Sequence, residues 1–87
     1  MFYVYVLQSK RDRNLYVGYT NDLRRRLEEH NSGESRSTKH RAPFALVYYE
    51  AYKAKADAVK REQMLKLRGR VLGGLKRRIH TSMNNLN

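Results

Sequence analysis

The chain has 87 residues, a formal net charge of +11 and no cysteine. That length makes one domain, near the lower limit at which an apolar core folds without staples, and the missing thiols exclude a disulfide framework, a thiolate zinc site and a cysteine nucleophile. The longest apolar run, Phe2 to Leu7, is too short to span a bilayer and follows no basic stretch, so neither a membrane segment nor a secretory signal is expected, and a soluble cytoplasmic protein is.

Residues 2–8 are β-branched and aromatic and predict a strand. A polar connection, Ser9 to Asn14, leads to a second strand over about 15–19, and two strands this close in sequence most simply form an antiparallel hairpin. In a register where paired numbers sum to about 21, Tyr5 lies opposite Tyr16 and both project from one face; a one-residue slip would part them. Thr20, Asn21 and Asp22 are helix-capping types, Leu23, Leu27 and His30 recur at helical spacing, and Gly33 is a stop signal. Arg26 flanks that buried stripe, while Arg24 and Arg25 turn away. The stretch Ser32 to Pro43 reads as a loop holding Arg36, Lys39, His40 and Arg41, and Phe44 to Tyr52 reads as a third strand.

A helix is predicted over about Lys55 to Leu67. Ala58, Val59 and Leu65 define its inward face, and Glu62 falls in the middle of it. A carboxylate there is expensive unless paired or bound to a cation. Val71, Leu72, Leu75 and Ile79 suggest a further helix that Gly73 and Gly74 weaken by roughly 1 kcal/mol each. Thr81 to Asn87 should form a disordered tail. Between Lys60 and Arg78 stand eight basic residues and one acid. A solvated face is the commoner cause of a charge run, but this density in so short a chain favours a polyanion. A membrane surface fits less well, because the charged helices carry no Trp or Phe on an apolar face. The fold class expected is mixed α+β: a three-stranded antiparallel sheet flanked by helices, in the order β-β-α-β-α-α.

Tyr3-Val4-Tyr5, then ten residues, then Tyr16-Val17-Gly18 resembles the paired signature of the GIY-YIG nuclease superfamily, closest to its small stand-alone branch. The run from Asn21 to Gly33 resembles the arginine helix that follows the signature, and Arg61-Glu62 resembles the metal-binding motif on the later helix. The likeness covers about residues 2–67, within a nuclease-like domain expected over 1–80. It implies catalytic roles for Tyr5, Tyr16 and Arg26, a structural glycine at Gly18, an active-site histidine at His30 and a metal ligand at Glu62. One Mg²⁺ or Mn²⁺ ion is implied, with DNA as the partner. Arg36, Lys39, His40, Arg41, Lys60, Lys66, Arg68 and Arg70 are then candidate backbone contacts, which give affinity and not sequence preference. Tyr19 departs from the small polar or basic residue many relatives carry after that glycine, and no late active-site asparagine is assigned to Asn84, Asn85 or Asn87.

These residue types suit phosphodiester hydrolysis, which needs an activated water, a neutralised phosphate and a stabilised leaving oxygen. Tyr5 is the expected general base, with Tyr16 and His30 as rivals for that role. A phenol has a reference pKa near 10, so it needs a nearby cation to ionise. The expectation is a metal-dependent endonuclease of weak sequence preference, selecting structures such as nicks, flaps or branches. Two alternatives stand beside it: a non-catalytic nucleic-acid-binding module, and a nuclease subunit active only with a protein partner or as a homodimer. Bland readings compete at each residue. Arg26 with Glu62 suits a structural ion pair, His30 suits a helix dipole, and Tyr3, Tyr48, Tyr49 and Tyr52 suit packing with surface hydroxyls.

Overall fold

The computed structural model describes residues 1–84. Its strands are β1 (Phe2–Ser9), β2 (Leu15–Thr20) and β3 (Phe44–Tyr52), and its helices are α1 (Leu23–Ser32), α2 (Lys55–Leu67), α3 (Gly69–Arg78) and α4 (His80–Asn84). The sheet is antiparallel in the order β2-β1-β3. The expected class and element order are therefore present. None of these helices is long and apolar enough to cross a membrane.

The central strand is buried without interruption from Val4 to Ser9, because helices cover the sheet on both faces. On the front face, Tyr5, Leu7 and Phe44 pack with Leu23 and Leu27 of α1. On the back face, Val4, Val6 and Val17 pack with Ala58 and Leu65 of α2 and with Leu75 and Ile79 beyond them. Alternation along β1 thus turns Tyr5 and Leu7 toward α1 and its valines toward α2 and α3. The apolar residues of the described helices serve these two small cores.

The hairpin register differs from the expected one. Tyr5 pairs with Gly18 and Leu7 with Tyr16, so paired numbers sum to 23. The cause lies in the connection: Ser9 Oγ accepts the Arg11 and Asp12 amides, each at 3.1 Å, and Arg13 adopts φ 64°. That curled turn advances β2 by two residues. An even shift preserves facing, so Tyr5 and Tyr16 still project from one side.

Two further differences follow from packing. Lys39–Arg41 form a single 3-10 turn inside the predicted loop. Thr81–Asn84, expected in a disordered tail, are helical in α4, where Met83 packs against the back core; residues 85–87 lie outside the described residues. The helix carrying Gly73 and Gly74 forms in spite of them, because Leu75 and Ile79 are buried and Val71 and Leu72 pack beside them.

A polar cluster that sequence reading missed fastens α2 to β3. Tyr48, Glu50 and Tyr52 share the back face of β3, and Tyr48 Oη donates to Glu50 Oε2 at 2.6 Å while Tyr52 Oη donates to Oε1. Arg61 closes on the same carboxylate, with Nε at 3.0 Å from Oε1 and Nη2 at 3.0 Å from Oε2. Burial works to raise the Glu50 carboxyl, but Arg61 and the two hydroxyls outweigh it and hold it below its usual range. Tyr48 and Tyr52, read as tyrosines with surface hydroxyls, instead spend those hydroxyls here. Replacing Arg61 by Met should cost about 1–3 kcal/mol in urea denaturation, because a half-buried carboxylate loses its charge partner. Adding Glu50→Gln should recover most of that loss.

Candidate active site

Tyr5, Arg26 and His30 converge on one oxygen. The Tyr5 hydroxyl lies 3.0 Å from His30 Nε2 and accepts from Arg26 Nε at 3.3 Å. Local sequence explains the convergence. Asp22 caps α1 by accepting the Arg25 amide at 3.1 Å, and Gly33 ends the helix at φ 83°. Between these caps, Arg26 and His30 are four residues apart and share a face. Gly18, directly opposite Tyr5 on β2, leaves the space into which the phenol lies: a Cβ there would overlap the Tyr5 hydroxyl and Cζ. The glycine of the signature is thus required by close approach, not by an unusual backbone angle.

Behind the phenol runs a buried chain. His30 Nδ1 lies 2.7 Å from Thr38 Oγ1, and Thr38 Oγ1 donates to the Ser35 carbonyl at 3.4 Å. The Thr38 proton is used there, so its oxygen accepts from Nδ1–H and leaves Nε2 to accept from Tyr5. Thr38 is buried and escaped the sequence reading, since a threonine in a polar loop carries no periodic signal. His30 itself is fully buried. Burial first, and the Arg26 charge second, push it down to about 4. A neutral imidazole gains nothing from a helix dipole, so the dipole reading of His30 does not hold.

Burial also pushes the Tyr5 phenol up to about 12, with Arg26 opposing. At neutral pH the resting site therefore holds a protonated Tyr5 and a neutral His30. The Tyr16 ring packs edge-on to His30 at 4.9 Å and lies 6.4 Å from the Tyr5 ring. It closes the side of the imidazole and makes no hydroxyl contact to Tyr5.

Arg26 and Glu62 do not form the ion pair that spacing allows. Arg26 Nη1 pairs with Glu29 at 3.1 Å, and Glu62 pairs with Lys66 at 3.5 Å. The Glu62 side chain is 20% exposed and its carboxylate is close enough to bear on Tyr5, raising its pKa slightly. Lys66 also stands over the Tyr16 ring, 5.7 Å from its centroid. No cluster of three or more His, Cys, Asp or Glu groups suited to a metal occurs among the described residues. One carboxylate fits Mg²⁺ or Mn²⁺ held jointly with substrate phosphate and water, the usual manner for these ions, and not a closed resident site.

The candidate phosphate contacts separate. Arg36, Lys39, His40, Lys60, Arg68 and Arg70 are exposed. Arg41 is not available in the same way: its Nε pairs with Asp12 at 2.8 Å and its guanidinium covers the Phe44 ring. Arg41 thereby holds Asp12 down at about 2 and joins the hairpin turn to the 3-10 turn. Lys66 belongs with Glu62 and Tyr16, not with a free basic stripe.

Known proteins resemble this chain in sequence and in fold. The model of the GIY-YIG catalytic domain family matches residues 1–71. UPF0213 proteins of Streptococcus pyogenes serotype M5 (strain Manfredo) and serotype M2 (strain MGAS10270) are each 43% identical over 67 residues, spanning 76% of this chain and 72% of theirs. The solution structure of a UPF0213 protein from Bacillus halodurans superposes with a TM-score of 0.54 at 40% identity, covering 86% of this chain and 82% of that one.

Two outcomes are expected. Gly18→Ala should destabilise the fold by about 1–3 kcal/mol in denaturant, because the phenol must leave its place. Combining it with Tyr5→Leu should cost less than the two single changes added, which a double-mutant cycle measures. Secondly, His30 is near 4 when folded against 6.5 unfolded, so between those values the unfolded chain binds the extra proton. Its contribution is complete above pH 6.5 and is lost as pH falls toward 4. Unfolding titrations should show the parent losing up to about 3 kcal/mol across that window, and His30→Gln losing less.

Proposed function

This chain belongs to the GIY-YIG catalytic domain family, and on that premise we propose that it is a metal-dependent endonuclease hydrolysing DNA phosphodiester bonds with weak sequence preference. The observation that carries the reading is the Tyr5 hydroxyl, held between His30 Nε2 and Arg26 Nε. A packing tyrosine needs one polar partner at most; this one has an acceptor behind it, a cation beside it and a glycine opened for it.

In the proposed reaction a water oxygen forms a bond to phosphorus and the bond to the 3′ oxygen breaks. Tyr5 meets the water. Its own proton is already directed at His30 Nε2, so a lone pair of the phenolic oxygen is turned toward the attacking water. The distance in acidity between the two groups, on the order of 10 kcal/mol, keeps the proton on Tyr5 at rest. A phosphodiester seated on Arg26 offsets a charge that lowers both groups, so His30 becomes a better proton acceptor while the phenol rises with it. Arg26 is placed to serve as this seat, since Nε is used on Tyr5 and Nη1 on Glu29 while Nη2 makes no protein hydrogen bond among the described residues. Glu62 would hold a Mg²⁺ or Mn²⁺ ion, which would supply Lewis acidity to the phosphate. Thr38 fixes the tautomer of His30, and Tyr16 fixes the plane of its ring. Arg36, Lys39 and His40 on the loop, with Lys60, Arg68 and Arg70, would hold the DNA backbone.

One observation favours the binding-module alternative. Lys66 already neutralises Glu62 at 3.5 Å, as a protein without a metal would need. The lysine is 45% exposed, so the pair is weak and a divalent ion displaces it at small cost. The test is cleavage of plasmid, nicked, flap and branched DNA with Mg²⁺ or Mn²⁺. Glu62→Gln should bind these DNAs like the parent yet cut at least about 100-fold more slowly, as losses of single charge-stabilising groups usually do. Tyr5→Phe should fall comparably. The parent rate should rise with pH past 8 without the inflection near 6.5 that an ordinary histidine gives, because His30 is neutral throughout. Salt-sensitive binding by a folded parent that cuts none of these DNAs would move the assignment to a binding module.

A further inference from the structure

Tyr49 lies on the front face of edge strand β3, directly opposite Tyr5. It is 51% exposed, and the Tyr3 ring stands edge-on to it at a centroid distance of 6.0 Å and 65°. Leu23 and Leu27 seat α1 over Tyr5, Leu7 and Phe44, so the adjoining strip of Tyr49 and Ala51 is left open. An edge strand is ordinarily blunted by charge or proline at such a place. Here it presents an aromatic face, braced by a second ring, on the sheet face of Tyr5, whose hydroxyl lies two strands away over Gly18 of β2.

We propose that Tyr49, braced by Tyr3, is a stacking subsite for an unpaired nucleobase, on the same sheet face as the phosphate at Arg26 and across β1 from it. The substrate preferred would then be one with an unstacked nucleotide: a single strand, a flap or an open end. Continuous duplex buries its base faces in its own stack and has none to offer, whereas a splayed base brings both an aromatic face for Tyr49 and a phosphate for Arg26. The charge argues for this occupant over a second copy of the chain, since molecules at +11 repel one another and attract a polyanion. The location of the phosphate rests on the nuclease reading above; the stacking itself does not.

The experiment uses the full chain without divalent metal, at fixed salt, with a 2-aminopurine single-stranded oligonucleotide and a blunt duplex of the same sequence. The parent should quench the fluorophore on the single strand. Tyr49→Ile keeps a good strand former on β3 and should abolish the quench and weaken single-strand binding about tenfold or more, with duplex binding within about twofold. Tyr49→Trp should restore affinity, and its own fluorescence should be quenched by an unlabelled single strand, which reads stacking even if the Ile variant folds poorly. Equal loss on both DNAs, no quench by the parent, or a change in oligomeric state with Tyr49→Ile would each overturn the subsite. Quenching by a parent that never cuts would uphold the subsite while removing the nuclease reading.

Discussion

The Tyr5 phenol fills the volume that any side chain at position 18 would need, and most of the site's geometry follows from that contact. Tyr5 belongs to the central strand, which is buried from Val4 to Ser9, so its backbone has little freedom to relocate the ring. The hairpin register places Gly18 directly across from it. With the ring laid toward β2, its hydroxyl ends where α1 delivers Arg26 and His30. A larger residue at 18 would push the oxygen out of reach of both, at distances where hydrogen bonds fail within a few tenths of an ångström.

Electrostatics around that oxygen set opposing tendencies. Burial raises Tyr5 and lowers His30, which keeps both neutral, while Arg26 supplies the single positive charge that touches the pair. On the proposed reading a phosphodiester would meet that charge at Arg26, and Glu62 would hold a divalent ion beside it. The remaining positive charge lies mostly on exposed side chains, where it contributes long-range attraction and little local geometry.

The second fixed point is the Glu50 cluster. Arg61 and Glu62 are neighbours on α2, and they point to different tasks about 100° apart around the helix. Arg61 is fastened to Glu50, Tyr48 and Tyr52 of β3, and this clamp sets the rotation at which Glu62 meets the Tyr5 side of the molecule. A site carried on four separate elements thus depends on polar contacts outside it.

Much of this was legible in the residues themselves. The β-branched and aromatic content of β1 and β3, the cap at Asp22, the stop at Gly33 and the helical spacing of Leu23, Leu27 and His30 are local properties, and local properties are written in short stretches of sequence. The placement of Tyr5 and Tyr16 on one face survived an error of two in their register, because facing depends only on parity. What tertiary structure alone decided are the choices among partners. It paired Arg26 with Glu29, Glu62 with Lys66 and Arg41 with Asp12; it placed Thr38 behind His30, and it folded residues 80–84 into a helix against the back core. Charged and hydroxyl side chains have many admissible partners, and only the distances set by packing of the two cores select among them. The sequence by itself determined which chemical groups are present and which face of each element bears them; the packing determined which of them touch.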